Sequence, residues 1–244
     1  MFKDNPRLKF WFKIFLLVIV LVIIGLVCRS CVDKFVIKSA YVGPNREKID
    51  QKMRKIATDV RGNNRTPLYV IDNFLTAKEC DMIIASVIDG LEPSTLTRPD
   101  KNDPYFRTSK TGHFNGDGLQ KEVESKICDL LGLDEDTSET CQVQHYEVGD
   151  EFKAHWDYFH EGVDDDFLKN GQRTWTFMVY LNNVKGGGAT EFVNLGEKIY
   201  PKKGTAVAWC NLDKNGNPDE DTLHRGTPVE EGYKFIITKW FLNK

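Results

Sequence analysis

From Cys141 to the C-terminus the apolar residues fall into short runs, CQVQHYEV, EFKAHWDYF, TWTFMVYLN, ATEFVN, KIYP, TAVAWCN and KFIITKWFL, separated by Gly, Asn, Asp and Pro. Many short strands with turn signals between them predict an all-β barrel or a double-sheet jelly roll. Upstream the pattern is different. LYVIDNF suits a strand, and TAKECDMIIASVIDGL then places apolar residues at helical spacing behind Thr76, with Glu79 completing a capping box. LTRPDKNDPYFRTSKTGHFNGDG reads as an irregular loop, and LQKEVESKICDLLGL resumes a helical period before the acidic turn DEDTSET. The fold class predicted is mainly β with flanking helices (α+β), a jelly roll preceded by helices and by the N-terminal segment considered next.

Ile14 to Cys28 carries no charge and is almost wholly branched or aromatic. It falls short of the ~20 residues that span a bilayer, but Phe10 to Phe12 make up the length if Lys13 snorkels to the headgroups. The reading is a single transmembrane helix. A cleaved signal peptide is the rival, and the run ends Gly25, Leu26, Val27, Cys28, without the small residues of a cleavage site. Lys3, Arg7, Lys9 and Lys13 before the run, against Arg29, Lys34 and Lys38 after it, favour a cytoplasmic N-terminus. The remainder would then face the lumen of the endoplasmic reticulum. The organisation expected is a membrane anchor over residues 1–31, a stalk with one short helix over 32–67, and a folded domain over 68–244.

Asn64-Arg65-Thr66 matches a glycosylation acceptor, which agrees with a lumenal domain. Cys80, Cys128, Cys141 and Cys210 are compatible with either bridges or buried thiols. Cys28 and Cys31 have no second pair nearby, so acylation or interchain bridging suits them better than zinc. The formal net charge of −3, with acidic and basic residues mixed, leaves no basic stripe and argues against nucleic acid as a primary partner.

In EFKAHWDYFH, His155 and Asp157 stand two positions apart and would project from one face of a strand, with Trp156 and Tyr158 on the other. A third ligand is needed, and His224 in DTLHRGTPVEEGYKF is the candidate. Two histidines and one carboxylate leave open the positions where a cosubstrate and dioxygen bind in non-haem Fe(II) oxygenases. Lys234 lies across the turn PVEEG on an apolar strand, where a lysine is costly to bury without an anion. It could receive the far carboxylate of 2-oxoglutarate. His113 lies in a loop, His145 on the strand face opposite Tyr146, and His160 at the wrong parity, so none of them is read as a ligand. The acidic stretch GVDDDFLKNG lacks calcium-loop spacing and reads as a loop beside the site.

Taken in order and spacing, QVQHYEVGDEFKAHWDYF, RTWTFMVYLN, GGGATEF, PKKGTAVAW and HRGTPVEEGYKFIITKW resemble the catalytic domain of the prolyl 4-hydroxylases. The resemblance runs from about Leu68 to the C-terminus. It implies a double-stranded β-helix and the 4-hydroxylation of proline in peptides, with 2-oxoglutarate and O2 as cosubstrates and ascorbate keeping the iron ferrous. It further implies that His155, Asp157 and His224 hold Fe(II) and that Lys234 pairs with 2-oxoglutarate. Tyr146 and Thr190 match positions that hydrogen-bond the cosubstrate, Trp240 a tryptophan near its pocket, and Arg107 and Arg173 arginines on the peptide side. Phe152 departs from the pattern, which has a tyrosine there. The N-terminal peptide-binding and dimerisation region of the collagen-type enzymes has no counterpart, so the likeness is to minimal single-domain members. Two rivals stay open, an oxygenase acting on another residue or small molecule and a jelly-roll binding module without catalysis.

Overall fold

The computed structural model describes residues 19–20, 22–24, 47–53, 58–59, 66–96, 103, 105–114 and 118–243. The chain divides into two compact units, Met1–Tyr41 and Val42–Lys244. In the first, the described residues are helical and expose the apolar side chains Ile19, Val20, Val22, Ile23 and Ile24. Among the described residues no helix is long and apolar enough to cross a membrane. Most of the expected anchor, together with Cys28, Cys31, Asn64 and Arg65, lies outside the described residues.

The second unit begins with residues 47–53, a helical stretch, then β1 (Thr58–Asp59), β2 (Leu68–Ile71) and helix α1 (Ala77–Val87). β3 (Glu92–Pro93), β4 (Lys110–Gly112), helix α2 (Leu119–Leu131), β5 (Gln142–Tyr146) and β6 (Phe152–His155) follow. Next come the short helix α3 (Asp165–Leu168), β7 (Arg173–Tyr180), β8 (Gly186–Gly187), β9 (Thr190–Phe192) and β10 (Glu197–Ile199). β11 (Ala206–Cys210), β12 (His224–Gly226), β13 (Val229–Glu231) and β14 (Lys234–Leu242) complete the unit. The larger sheet has the order β1-β2-β11-β7-β14-β5-β4-β3, the smaller one β10-β9-β12-β6, and β13 pairs with β8.

Strand parity sorts the side chains into two cores. Phe177, Val179, Ala206, Ala208, Phe235 and Ile237 face the helices, where Ile83, Val87, Val123 and Ile127 cover them. Their neighbours Met178, Tyr180, Val207, Trp209 and Ile236 face the other way and pack with Phe192 and Ile199 of the smaller sheet. β7 and β14 are buried along their whole length, which is why their sequences read as nearly continuous apolar runs. Truncating a residue such as Ile83 to alanine would cost about 2–5 kcal/mol.

The capping box forms as the sequence predicts, with Glu79 N–H donating to Thr76 Oγ1 (3.2 Å) and Thr76 N–H to Glu79 Oε2 (2.6 Å). Several expectations are refined. β2 stops at Ile71 because Asp72 and Asn73 turn the chain, Asn73 with φ 55°. The stretch read as an irregular loop supplies two short strands, β3 and β4, that extend the larger sheet. The acidic stretch read as a loop contains α3, with Asp164 buried behind it. Ile49 and Met53, placed in the stalk by sequence, are buried in the helix-side core, and β1 pairs with β2. Apolar side chains on that short helix are the physical reason the compact unit reaches upstream of Leu68. Cys80, Cys128 and Cys141 are buried free thiols, the buried Cys210 thiol donates to Leu212 O (3.2 Å), and burial pushes the Cys80 thiol up to about 11.

Candidate active site

The smaller sheet sets the first two functional side chains. β12 pairs with β6 so that His224 lies opposite His155, and the two rings are 4.3 Å apart. Each Nδ1 lies 2.8 Å from the carbonyl two residues earlier, Lys153 O for His155 and Thr222 O for His224. A neutral imidazole that donates Nδ1–H to a carbonyl keeps its lone pair on Nε2, the atom a metal needs. Burial, reinforced by His224, pushes the His155 pKa down to about 3, so the ring is neutral at ordinary pH.

Asp157 does not share a strand with His155, as its spacing had predicted. β6 ends at His155, and Asp157 sits in a bend beyond it. Tertiary bonds fix it there. Its Oδ2 accepts from Thr176 Oγ1 (2.7 Å), and its carbonyl lies 3.4 Å from Arg173 Nη1. Asp157 Oδ1 is then 3.7 Å from His155 Nε2, and Oδ2 is 3.9 Å from His224 Nε2. Ligand atoms of all three residues lie within 4.8 Å of one another. Burial alone would raise the Asp157 pKa, but His224, His155, Arg173 and the Thr176 hydroxyl together hold it below the usual carboxylate range. Two imidazoles and one carboxylate, gathered on one side, fit Fe(II) with coordination positions left open.

Behind the triad is a small inner pocket lined by Tyr146, Thr190, Met178, Gly226 and Lys234. Lys234, at the start of β14, is 1% exposed, so its ammonium has been taken out of water. It donates to Gly188 O (3.1 Å) and sits 4.1 Å from the centre of the Tyr146 ring, and among the described residues no carboxylate pairs with it. Burial lowers its pKa to about 7. A Cβ on Gly226 would stand 3.3 Å from Lys234 Nζ, so the glycine keeps this end of the pocket clear. Thr190 Oγ1 lies 2.7 Å from the Tyr180 hydroxyl, which is itself 2.9 Å from Ile199 O. A buried cation and a hydroxyl facing a metal-ligand triad suit a small dicarboxylate held at both ends.

In front of the triad opens a cleft of about 430 Å³, with Phe106, Trp156, Tyr158, Phe159, His160 and Phe167 among its walls. Arg107, Phe152, His155, Asp157 and Trp240 line both spaces. Phe152 stacks on His155 with ring centres 3.6 Å apart, and Arg107 lies over its other side at 4.8 Å. Arg107 Nε donates to Ser109 Oγ and Nη1 to Thr95 O, while Nη2 is buried with no hydrogen-bond partner. Burial lowers the Arg107 pKa. Trp240 Nε1 is likewise buried and unpartnered. Arg173 lines the outer cleft, but its guanidinium is held by Glu139 in a bidentate pair (2.6 and 2.7 Å) and stacks 4.1 Å from the Trp240 ring. His113 and His160 line the outer cleft, and His145 stacks on Phe235. Among the described residues His155, Asp157 and His224 form a group that could hold a metal ion.

Sequence reasoning missed Glu139, Thr176, Tyr180 and Asn211. Thr176 and Tyr180 stand at inward positions of β7, where a polar group within an apolar run was the available signal. Glu139 and Asn211 lie in loops and carried none.

Residues 141–242 match the family model of the 2OG-Fe(II) oxygenase superfamily. The chain is 36% identical over 166 residues to the prolyl 4-hydroxylase subunit alpha-1 of Rattus norvegicus, covering 63% of this chain and 31% of the rat protein. It is 32% identical over 198 residues to prolyl 4-hydroxylase 2 of Arabidopsis thaliana, covering 70% and 66%. The chain thus spans about a third of the length of the rat subunit. Among solved structures, it resembles the viral collagen prolyl hydroxylase of Paramecium Bursaria Chlorella virus-1, solved as its 2OG complex. The TM-score is 0.57 at 29% identity, over 71% of this chain and 94% of the viral one.

Proposed function

Because this chain belongs to the prolyl 4-hydroxylase family of 2OG-Fe(II) oxygenases, we propose that it hydroxylates peptidyl proline to 4-hydroxyproline and releases succinate and CO2. The observation that carries the proposal is the convergence of His155, Asp157 and His224 in front of the buried Lys234, which among the described residues meets no carboxylate. In this reading the triad holds Fe(II), and Lys234, with Thr190 and Tyr146 beside it, receives the far carboxylate of 2-oxoglutarate. When bound, iron and cosubstrate supply the oxidising chemistry, one atom of O2 entering succinate and the other the substrate C–H bond. The protein's own residues bind, orient and exclude water. Phe152 and Trp240 wall the reacting position, and Arg107, with a buried N–H left unpaired, offers a donor to a peptide carbonyl. Arg173 acts on the peptide side through the wall it forms with Trp240. Ascorbate is expected to restore ferrous iron after uncoupled turnover.

The test is mass spectrometry of proline-containing peptides after incubation with Fe(II), 2-oxoglutarate and ascorbate. A gain of one oxygen at proline, with matching succinate, supports the reading; succinate without peptide oxidation across a broad panel would overturn the choice of substrate. We also propose residues 68–244 as the oxygenase domain, with residues 47–53 and β1 packed onto it as part of the same folded unit, and residues 1–31 anchoring it in the endoplasmic reticulum membrane, domain lumenal. The uncharged run Ile14 to Cys28 supports the anchor. Resistance to carbonate extraction, together with an endoglycosidase-sensitive glycan on Asn64, checks both anchor and orientation.

A further inference from the structure

Asp157 is gripped from behind by two buried side chains. Thr176 on β7 and Asn211, just past β11, are each 0% exposed. Strand pairing brings them together, since Trp209 is in register with Thr176 and Asn211 N–H donates to Thr174 O (2.8 Å). Asn211 Nδ2 lies 2.9 Å from Thr176 Oγ1, which lies 2.7 Å from Asp157 Oδ2. An ionised carboxylate only accepts, so the single Thr176 proton goes to Asp157, and Asn211 must donate its amide N–H to the threonine. The relay therefore runs one way, from amide to hydroxyl to carboxylate. A hydrogen bond to an ionised acceptor is short and strong, so it fixes the rotation of the carboxylate.

We propose that Thr176 and Asn211 are positioning residues that make Asp157 a one-oxygen metal ligand, holding Oδ2 and leaving Oδ1 for the ion. Both oxygens lie near the imidazoles, Oδ1 3.7 Å from His155 Nε2 and Oδ2 3.9 Å from His224 Nε2, and only Oδ1 is left without the Thr176 hydrogen bond. A carboxylate free to rotate could bind through both oxygens and occupy a position needed for cosubstrate or dioxygen. The proposal rests on the reading of the triad as the iron site.

Co(II) serves as the probe in the full chain, with affinity measured by equilibrium dialysis and coordination by its d–d absorption. Thr176→Val keeps the shape and removes the hydroxyl. Outer-shell losses of this kind lower metal affinity about 10- to 100-fold. The expected result is a loss in that range, with an altered d–d spectrum, restoration of both by Thr176→Ser, and a lower kcat without a matching rise in the 2-oxoglutarate KM. The double variant Thr176→Val/Asn211→Leu removes the orphaned amide and should show the same metal phenotype, which separates positioning from a folding defect. Wild-type affinity and spectrum in well-folded Thr176→Val would overturn the relay while leaving the iron site intact. Failure of the wild-type chain to bind one Co(II) would overturn both.

Discussion

The inner pocket and the outer cleft share a wall of Arg107, Phe152, His155, Asp157 and Trp240, yet they are built on different physics. The inner pocket takes Lys234 and Ile236 from β14, Met178 from β7 and Tyr146 from β5, strands buried between two layers. It holds a desolvated lysine whose charged form an anion would stabilise. The outer cleft is the larger space, about 430 Å³, and takes its rings from the segment after β6 and from the stretch before β4, with Arg107 and Arg173 held among them by hydrogen bonds. In the proposed reading the buried, charged pocket would select one small anion and the larger aromatic cleft would seat the peptide, so reaction class and substrate choice would reside in different parts of the molecule.

The difference can be tested from its strongest consequence downward. His155→Ala removes a ligand from the shared wall and should abolish succinate release, exceeding the roughly 100-fold that outer-shell losses cost. Residual activity above a tenth of wild type would place the iron elsewhere. Lys234→Met should raise the 2-oxoglutarate requirement roughly 100-fold, one buried charge-assisted contact being worth ~1.5–3 kcal/mol, while the peptide KM stays nearly constant. Equal effects on both constants would show that the two spaces are not independent.

A pH dependence follows from the same lysine. Its pKa, lowered by burial to about 7 in the empty pocket, returns toward the ordinary lysine value when an anion binds, so binding takes up a proton above pH 7. Affinity for 2-oxoglutarate should therefore fall as pH rises from about 7. Calorimetry under nitrogen in buffers of different ionisation enthalpy would show the proton uptake, and Lys234→Met should lose it. In the outer cleft, Arg107→Leu should raise the peptide KM about tenfold through loss of one charged donor. The smallest effect is expected for Phe152→Tyr, a few-fold change in peptide KM, because the ring already stacks on His155 and only a hydroxyl is added. Steady-state kinetics with one proline peptide would rank these two.

Much of the inner pocket was legible in the chain. The spacing of His155 and Asp157 and an interior lysine on an apolar strand are local signals, and each marks a residue that solvation alone would not place there. Even so, the geometric warrant was partly wrong, since Asp157 reaches the site from a bend held by Thr176 and Arg173 and not from the strand. Arg173 was marked for the peptide side, but its link to Glu139 could not be seen, because nothing in a sequence says which acid a buried arginine will meet across a fold. The helix-side packing of Ile49 and Met53 was hidden for a similar reason, the period of so short a helix being too weak to separate a stalk from a core element.

By itself, the sequence determined the alternation of faces, the capped helix at Thr76, three candidate metal ligands and an interior lysine on an apolar strand. These follow from periodicity and from the cost of burying charge, both of which are properties of a local stretch of chain. Tertiary structure alone decided that His155 faces His224 across a strand pair and that the Thr176 hydroxyl, backed by Asn211, occupies one oxygen of Asp157. It also decided that a single wall of five residues divides the buried pocket from the open cleft. Those facts depend on strand register and on contacts between residues far apart in the chain, which side-chain chemistry constrains only after the two sheets have closed on each other.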